Sequence, residues 1–216
     1  MSDTARTAIL SRVRSAYSSQ ERESAQQNYA AIERNYLRRS QLDTEELISL
    51  FIDRLHEYDA GVVRTEKANL PATVRTVLER RAQHRVAIPA GLPADWLPSG
   101  VDFVVADRLS AQELDQLGGV MTACTVAIAR TGSLVLQNVA GQGPRALSLV
   151  PDYHLCVVFA EQIVGTVSEA FERLRPAAPT TFISGPSATA DIEMTRIKGV
   201  HGPRFLDVVI VMENQG

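Results

Sequence analysis

From Gly61 to Met212, short apolar runs alternate with stretches of helical period, and this alternation constrains the fold more than any other feature. Gly61–Arg64, Arg85–Pro89 and Val101–Ala106 are brief and β-branched, so they are expected as strands. Between them, Leu70–Gln83 carries apolar residues at helical spacing, with Pro71 near its first position. A loop holding Pro93, Trp96, Pro98 and Gly100 follows, and Ser110–Gly118 is a short helix opening on the box Ser110-Ala-Gln-Glu113. Four close-set runs come next, Cys124–Ala129, Ser133–Asn138, Ala146–Val150 and His154–Phe159. Val167–Leu174 reads as a helix, and Thr180–Ser184 and Phe205–Met212 as the last strands. Strand–helix alternation predicts a mainly parallel sheet covered by helices on both faces. The crowding between Cys124 and Phe159 adds antiparallel neighbours, so the expected class is α/β with a mixed sheet.

Residues 1–60 are different: polar, nearly free of Gly and Pro, and helical in period. Ala5, Ala8, Ile9, Val13, Ala16 and Tyr17 form a narrow stripe on a helix capped by Ser2 or Asp3. The stretch 18–41 keeps only Tyr29, Ile32 and Tyr36 in register, which fits either a helix packed on another subunit or a loosely ordered arm. A better-specified helix follows, capped by Asp43 with Glu46 bonding back, and with Leu42 and Leu47 placed as a staple. Leu47, Ile48, Phe51, Leu55 and Tyr58 form its apolar stripe, and Gly61 is expected to end it in a left-handed turn. The expected division is therefore a helical extension over 1–60 and an α/β domain over 61–216.

Composition narrows the partners. At 216 residues and 45% hydrophobic, the chain can build one sizeable core plus an appendage. A net charge of -3 and only 6% aromatics argue against nucleic acid or an anionic membrane surface as partner. Cys124 and Cys156 lie in apolar runs without a CxxC, which points to buried reduced thiols rather than a disulfide framework, a zinc site or an iron–sulfur cluster. Arg6, Arg12 and Arg14 are not followed by an apolar signal core, and no run approaches the roughly 18 apolar residues of a membrane span. A cytoplasmic protein without a bound cofactor is the expectation.

Three segments carry residues that plain packing does not require. Thr131-Gly132-Ser133 joins two apolar runs, and its hydroxyls and free N–H groups suit a phosphate or carboxylate, or simply a tight turn in which Gly132 supplies a positive φ. In Gly141–Arg145 and the following run, Arg145 can clamp an anion, and His154 can act as acid, base or ligand or bond to backbone. Gly185-Pro186-Ser187-Ala-Thr189-Ala-Asp191-Ile-Glu193 follows a strand, at what should be the carboxyl edge of a sheet, where α/β crevices open. Lys198 and His201 return toward it, with Glu193 and His201 as candidates for proton transfer. Asp191, Glu193 and His201 lack a recognised metal-ligand spacing, so no metal is expected. Walker A, GxGxxG, GxSxG and HExxH patterns are all absent, which disfavours kinase, dehydrogenase, serine hydrolase and zinc protease chemistry.

Taken together, Thr131-Gly-Ser-Leu-Val-Leu, the run Leu149–Val158, Ile183–Glu193 and Lys198-Gly-Val-His-Gly-Pro-Arg204 resemble the LUD domain family, and within it the lactate utilization protein C group. The resemblance covers roughly Gly61–Met212 and touches Asn35–Arg38 and Glu45–Tyr58. It implies a three-layer α/β/α fold similar to ribose-phosphate isomerase and CoA-transferases. It also implies a part in oxidising L-lactate to pyruvate beside iron–sulfur partner proteins. Family members often have Asp-Thr-Gly where this chain has Arg130-Thr131-Gly132, and no residue matches the CoA-transferase glutamate, so a covalent CoA mechanism is not implied. The leading expectation is a non-redox accessory subunit that holds a small anionic ligand at the sheet edge, with the N-terminal helices as a docking or self-association surface. A stand-alone enzyme for a sugar phosphate or CoA ester, or a lactate or pyruvate sensor, remain the alternatives, and whether the chain catalyses a reaction is left open.

Overall fold

The computed structural model describes residues 3–16, 19–190, 196–199 and 201–212. Its contacts divide into two units, 1–36 and 37–216. In the first, helices α1 (Asp3–Ser15) and α2 (Ser19–Ala31) leave Ile9, Leu10, Val13 and Tyr29 exposed. Arg34 lies 4.8 Å over the Tyr29 ring and donates to the Tyr29 and Ile32 carbonyls. The polar stretch after residue 18 is thus helical as far as Ala31.

The second unit begins with α3 (Thr44–Glu57), whose Asp43–Glu46 capping box forms with both bonds at 2.9 Å. Ile48, Phe51 and Leu55 are fully buried on one stripe. The left-handed residue after this helix is Asp59, φ 62°, rather than Gly61; a short Asp side chain tolerates that conformation. Then follow β1 (Gly61–Glu66), α4 (Leu70–Arg80), β2 (Arg85–Ile88), β3 (Asp102–Val105), α5 (Ala111–Asp115) and β4 (Gly119–Ala123). Next come β5 (Val126–Ile128), β6 (Ser133–Gln137), β7 (Tyr153–Phe159), β8 (Ile163–Val164), α6 (Val167–Arg173) and β9 (Thr180–Ile183). The hairpin β10 (Ala188–Ala190) and β11 (Arg196–Lys198), and finally β12 (Phe205–Met212), complete the described elements.

Six parallel strands in the order β1-β12-β7-β4-β2-β3 form the main sheet. Its central strands are near-continuous apolar runs because both faces are covered. On one face Leu155, Val157, Val209 and Val211 pack on Leu70, Val74, Val77 and Leu78 of α4. On the other, Cys156, Val158, Val208 and Ile210 meet Ile48, Phe51 and Leu55 of α3 together with Ala127, Leu134 and Leu136 of a second sheet. Each such buried Val, Leu or Ile contributes about 1.5–3 kcal/mol relative to exposure. The second sheet, β8-β5-β6-β9, pairs β5 with β6 and β6 with β9 antiparallel, and β5 with β8 parallel. Ala170 of α6 packs with Val126, Ile128, Val135 and Val164 on the far side of this sheet.

The class is α/β with mixed pairing, and the crowded strands explain the mixture: they leave the parallel sheet and build their own layer. Two local expectations change. Ala146–Val150 is not a strand; Arg145–Ser148 is a turn of 3-10 helix. The run expected at Cys124–Ala129 shortens to β5, and the strand of the main sheet is β4, just before it.

Asp207, near the start of β12, is buried and gripped by Arg81 at 2.7 and 3.0 Å and by Arg80 at 3.3 Å. Asp207 stands opposite Gly61 in the β1–β12 register. A Cβ at Gly61 would run into the Asp207 carboxylate, so close approach rather than turn geometry requires glycine there.

Candidate functional site

A cleft of about 280 Å³ opens between the two sheets, lined by Arg145, Ser148, His154, Ser184–Ser187 and His201 among others. It lies at the carboxyl end of β9, as the sequence suggests for the Gly185-Pro186-Ser187 turn. Relative to the parallel sheet, however, it sits at the amino ends of β7 and β12, where His154 and Leu206 stand. The expectation of a carboxyl-edge crevice is corrected in this respect: β9 belongs to the second sheet, and its carboxyl end meets the amino ends of β7 and β12 at the cleft.

Two segments distant in sequence are laced together at the rim. Ser187 N–H donates to the Pro203 carbonyl at 2.8 Å, Gly199 N–H to the Ser187 carbonyl at 2.9 Å, and His201 N–H to Ser187 Oγ at 3.1 Å. Gly185 adopts φ 80° with the Tyr58 side chain directly beneath it, leaving no room for a Cβ. Pro186 lines the cleft beside it.

Thr131, Gly132 and Ser133 stand behind this wall rather than in it. Gly132 has φ 58° and abuts the Arg54 backbone of α3, so its turn is spent on packing. Thr131 Oγ1 is 2.8 Å from Ser133 Oγ, which in turn is 2.7 Å from Ser184 Oγ, a cleft residue. The TGS segment therefore positions Ser184 through a hydroxyl chain. Thr189 is in β10; Asp191 and Glu193 fall outside the described residues.

His154 is 1% exposed on the central strand β7. Its Nε2 is 2.8 Å from Thr122 Oγ1 of β4, and its Nδ1 has no partner among the described residues. Burial pushes its pKa down to about 4, so the ring is neutral near pH 7. Arg145 is exposed at the cleft, where a wider hollow of about 960 Å³, lined also by Asp115, Asp152 and Arg204, adjoins it. Asp152 is held in a bidentate pair by Arg204 at 2.6 and 2.9 Å. Among the described residues no ion pair engages the Arg145 side chain, and the cleft beside Ser184–Ser187 is lined by no Asp or Glu. Sequence reasoning missed Thr122, Ser148 and Ser184. Thr122 lies on β4, whose apolar signal is short and begins at a glycine.

Cys124 and Cys156 are both free and buried. The neighbouring Cys156, with burial, holds the Cys124 thiol well above its usual pKa. Among the described residues no group of three His, Cys, Asp or Glu could hold a metal ion, and no helix is long and apolar enough to cross a membrane.

Fold and cleft define a class: a parallel α/β domain with a second sheet and a polar crevice between the two. Comparison with known proteins gives the family. The LUD domain family matches residues 105–211. A lactate utilization protein C from Deinococcus radiodurans is 46% identical over 176 residues, 79% of this chain and 82% of that one. A second protein of that name, from an Exiguobacterium species, is 30% identical over 186 residues, 77% of this chain and 78% of its own. The crystal structure of a DUF162 family protein from Deinococcus radiodurans superposes with a TM-score of 0.69 at 41% identity, covering 79% of this chain and 99% of that one. The chain belongs to the LUD domain family.

Proposed function

We propose that this protein takes part in lactate utilization as a non-redox accessory subunit of a lactate-to-pyruvate oxidising system, holding a small anionic ligand in the cleft between its sheets. The similarity to proteins named lactate utilization protein C supports the process. The observation that carries the ligand is the cleft itself: a guanidinium, Arg145, beside serine hydroxyls and a neutral histidine, with no lining carboxylate among the described residues. Among the described residues no acid pairs with that cation, and a bidentate Arg–carboxylate pair is the natural contact for an anion there. Iron–sulfur proteins are the proposed electron-carrying partners, since neither cysteine of this chain is placed to ligate a cluster. The exposed Ile9, Leu10 and Val13 of α1 supply the apolar stripe for docking or self-association.

Two measurements test this. Co-purification from a native source should bring iron–sulfur proteins with it, visible by absorbance. Thermal-shift screening should show stabilisation by small carboxylates, about 2.7 kcal/mol at 100 times Kd, which for a chain of this length is a rise of roughly 5–10 °C. Arg145→Ala should abolish the shift. Turnover of a sugar phosphate or CoA ester by the isolated protein, lost in His201→Ala, would instead favour an enzyme.

A further inference from the structure

Resting on the placement of an anion at Arg145, we infer that a side pocket next to the cleft takes the tail of a longer carboxylate, and that Gln142 donates a hydrogen bond there to a neutral carbonyl. The side pocket measures about 250 Å³ and shares Arg145, Ser148 and Thr181 with the cleft. Its other sides come from the end of β6 and from Gln142, Gly143 and Pro144. Gln142 is 7% exposed, and its amide is oriented by what it accepts: the Gln137 N–H donates to Oε1 at 2.6 Å and the Thr125 hydroxyl at 3.0 Å. A backbone N–H can only donate, so the oxygen lies on that side and the NH2 group on the other. Gln142 Nε2 itself has no partner among the described residues. The sealed side-chain atoms without a partner are Tyr153 Oη and His154 Nδ1, and Gln142 Nε2 is not one of them. It therefore keeps open surface, and the side pocket is the space that Gln142 lines.

The side pocket's other buried amide, Gln137, is spent within the protein. Its Nε2 donates to the Arg175 carbonyl at 3.1 Å and to Thr180 Oγ1 at 3.0 Å, and its Oε1 accepts the Arg175 N–H at 3.1 Å. The Ser148 hydroxyl donates to the Arg145 carbonyl at 3.3 Å, and Leu136, Pro144 and Pro179 add apolar surface. A lone buried donor among such walls is matched by an uncharged acceptor, since a second carboxylate would lose its hydration against them. Arg145 follows Gln142 by three residues, so their Cα atoms are at most about 11 Å apart. The positive φ of Gly143, 67°, turns the chain between them. One ligand can therefore hold both ends, its carboxylate on Arg145 and its carbonyl on Gln142.

Isothermal titration of the full chain with propanoate, pentanoate, 4-oxopentanoate and glutarate, paired with ¹⁵N–¹H spectra of the side-chain amides, tests the inference. Pentanoate should bind about tenfold more tightly than propanoate, at roughly fourfold per buried methylene. 4-Oxopentanoate should gain at least about threefold more through its hydrogen bond, and it should shift the Gln142 NH2 resonances where propanoate does not. Glutarate, charged at its far end, should bind about tenfold more weakly than 4-oxopentanoate. Gln142→Glu keeps an oxygen for the Gln137 N–H and the Thr125 hydroxyl but removes the NH2 group, so the preference for 4-oxopentanoate over pentanoate should vanish. The acid series on the native protein decides the matter whether or not that variant folds. Pentanoate or glutarate binding as tightly as 4-oxopentanoate, or unshifted Gln142 resonances, overturns the inference and leaves the anion at Arg145 standing. Failure of all four acids to bind removes the anion site itself, and this inference with it.

Discussion

The burial of His154 predicts a specific loss of stability in mild acid. In the unfolded chain this imidazole titrates near 6.5; in the folded protein desolvation holds it to about 4. Between those values the unfolded state binds a proton that the folded state refuses, so stability falls as pH falls and is whole above about pH 6.5. The full difference of 2.5 pKa units corresponds to about 3 kcal/mol at 1.36 kcal/mol per unit. By pH 5 about 2 kcal/mol should already be gone. Urea denaturation at intervals from pH 7.5 to 4.5, on the native protein and on His154→Gln, isolates the effect because every other titrating group is common to both. The variant is expected to start less stable and to converge on the native protein as the pH is lowered. Parallel profiles would refute the claim that the buried ring is held neutral.

Two further perturbations follow from the Asp207 cluster. Arg81→Met keeps the aliphatic stem but leaves the buried carboxylate, among the described residues, with Arg80 at 3.3 Å as its remaining ion pair, so a loss of about 3 kcal/mol is expected in urea denaturation. Gly61→Ala pushes a methyl into the Asp207 carboxylate; overpacking of this kind costs about 2 kcal/mol, a fall in Tm of roughly 4–8 °C. A wild-type midpoint in either variant would mean that the cluster is not the tight contact described.

The order of elements was readable from local signals wherever a stretch satisfied its own chemistry. The Asp43–Glu46 and Ser110–Glu113 boxes both close within three residues, and Leu70, Val74, Val77 and Leu78 mark one face of α4 by spacing alone. Layer membership was not readable, because β5 and β6 leave the main sheet through pairings with residues 163–164 and 180–183 that no local pattern encodes. The same limit applies at the site. Gly185, Ser187 and His201 stand out as punctuation and polar types, but that Ser187 bonds to both Pro203 and His201 depends on the path of β12. Thr131, Gly132 and Ser133 were legible as a special turn, yet their burial against α3 turns them from lining into support. Asp59 takes the left-handed role that glycine spacing assigned to Gly61, because Gly61 is needed two residues later to admit Asp207.

A crystal structure of the protein grown with saturating L-lactate bears most directly on the crevice as a binding site. The carboxylate should lie in the cleft within hydrogen-bond distance of the Arg145 guanidinium. Lactate seated away from Arg145, or a cleft holding only water at saturation, would contradict the account.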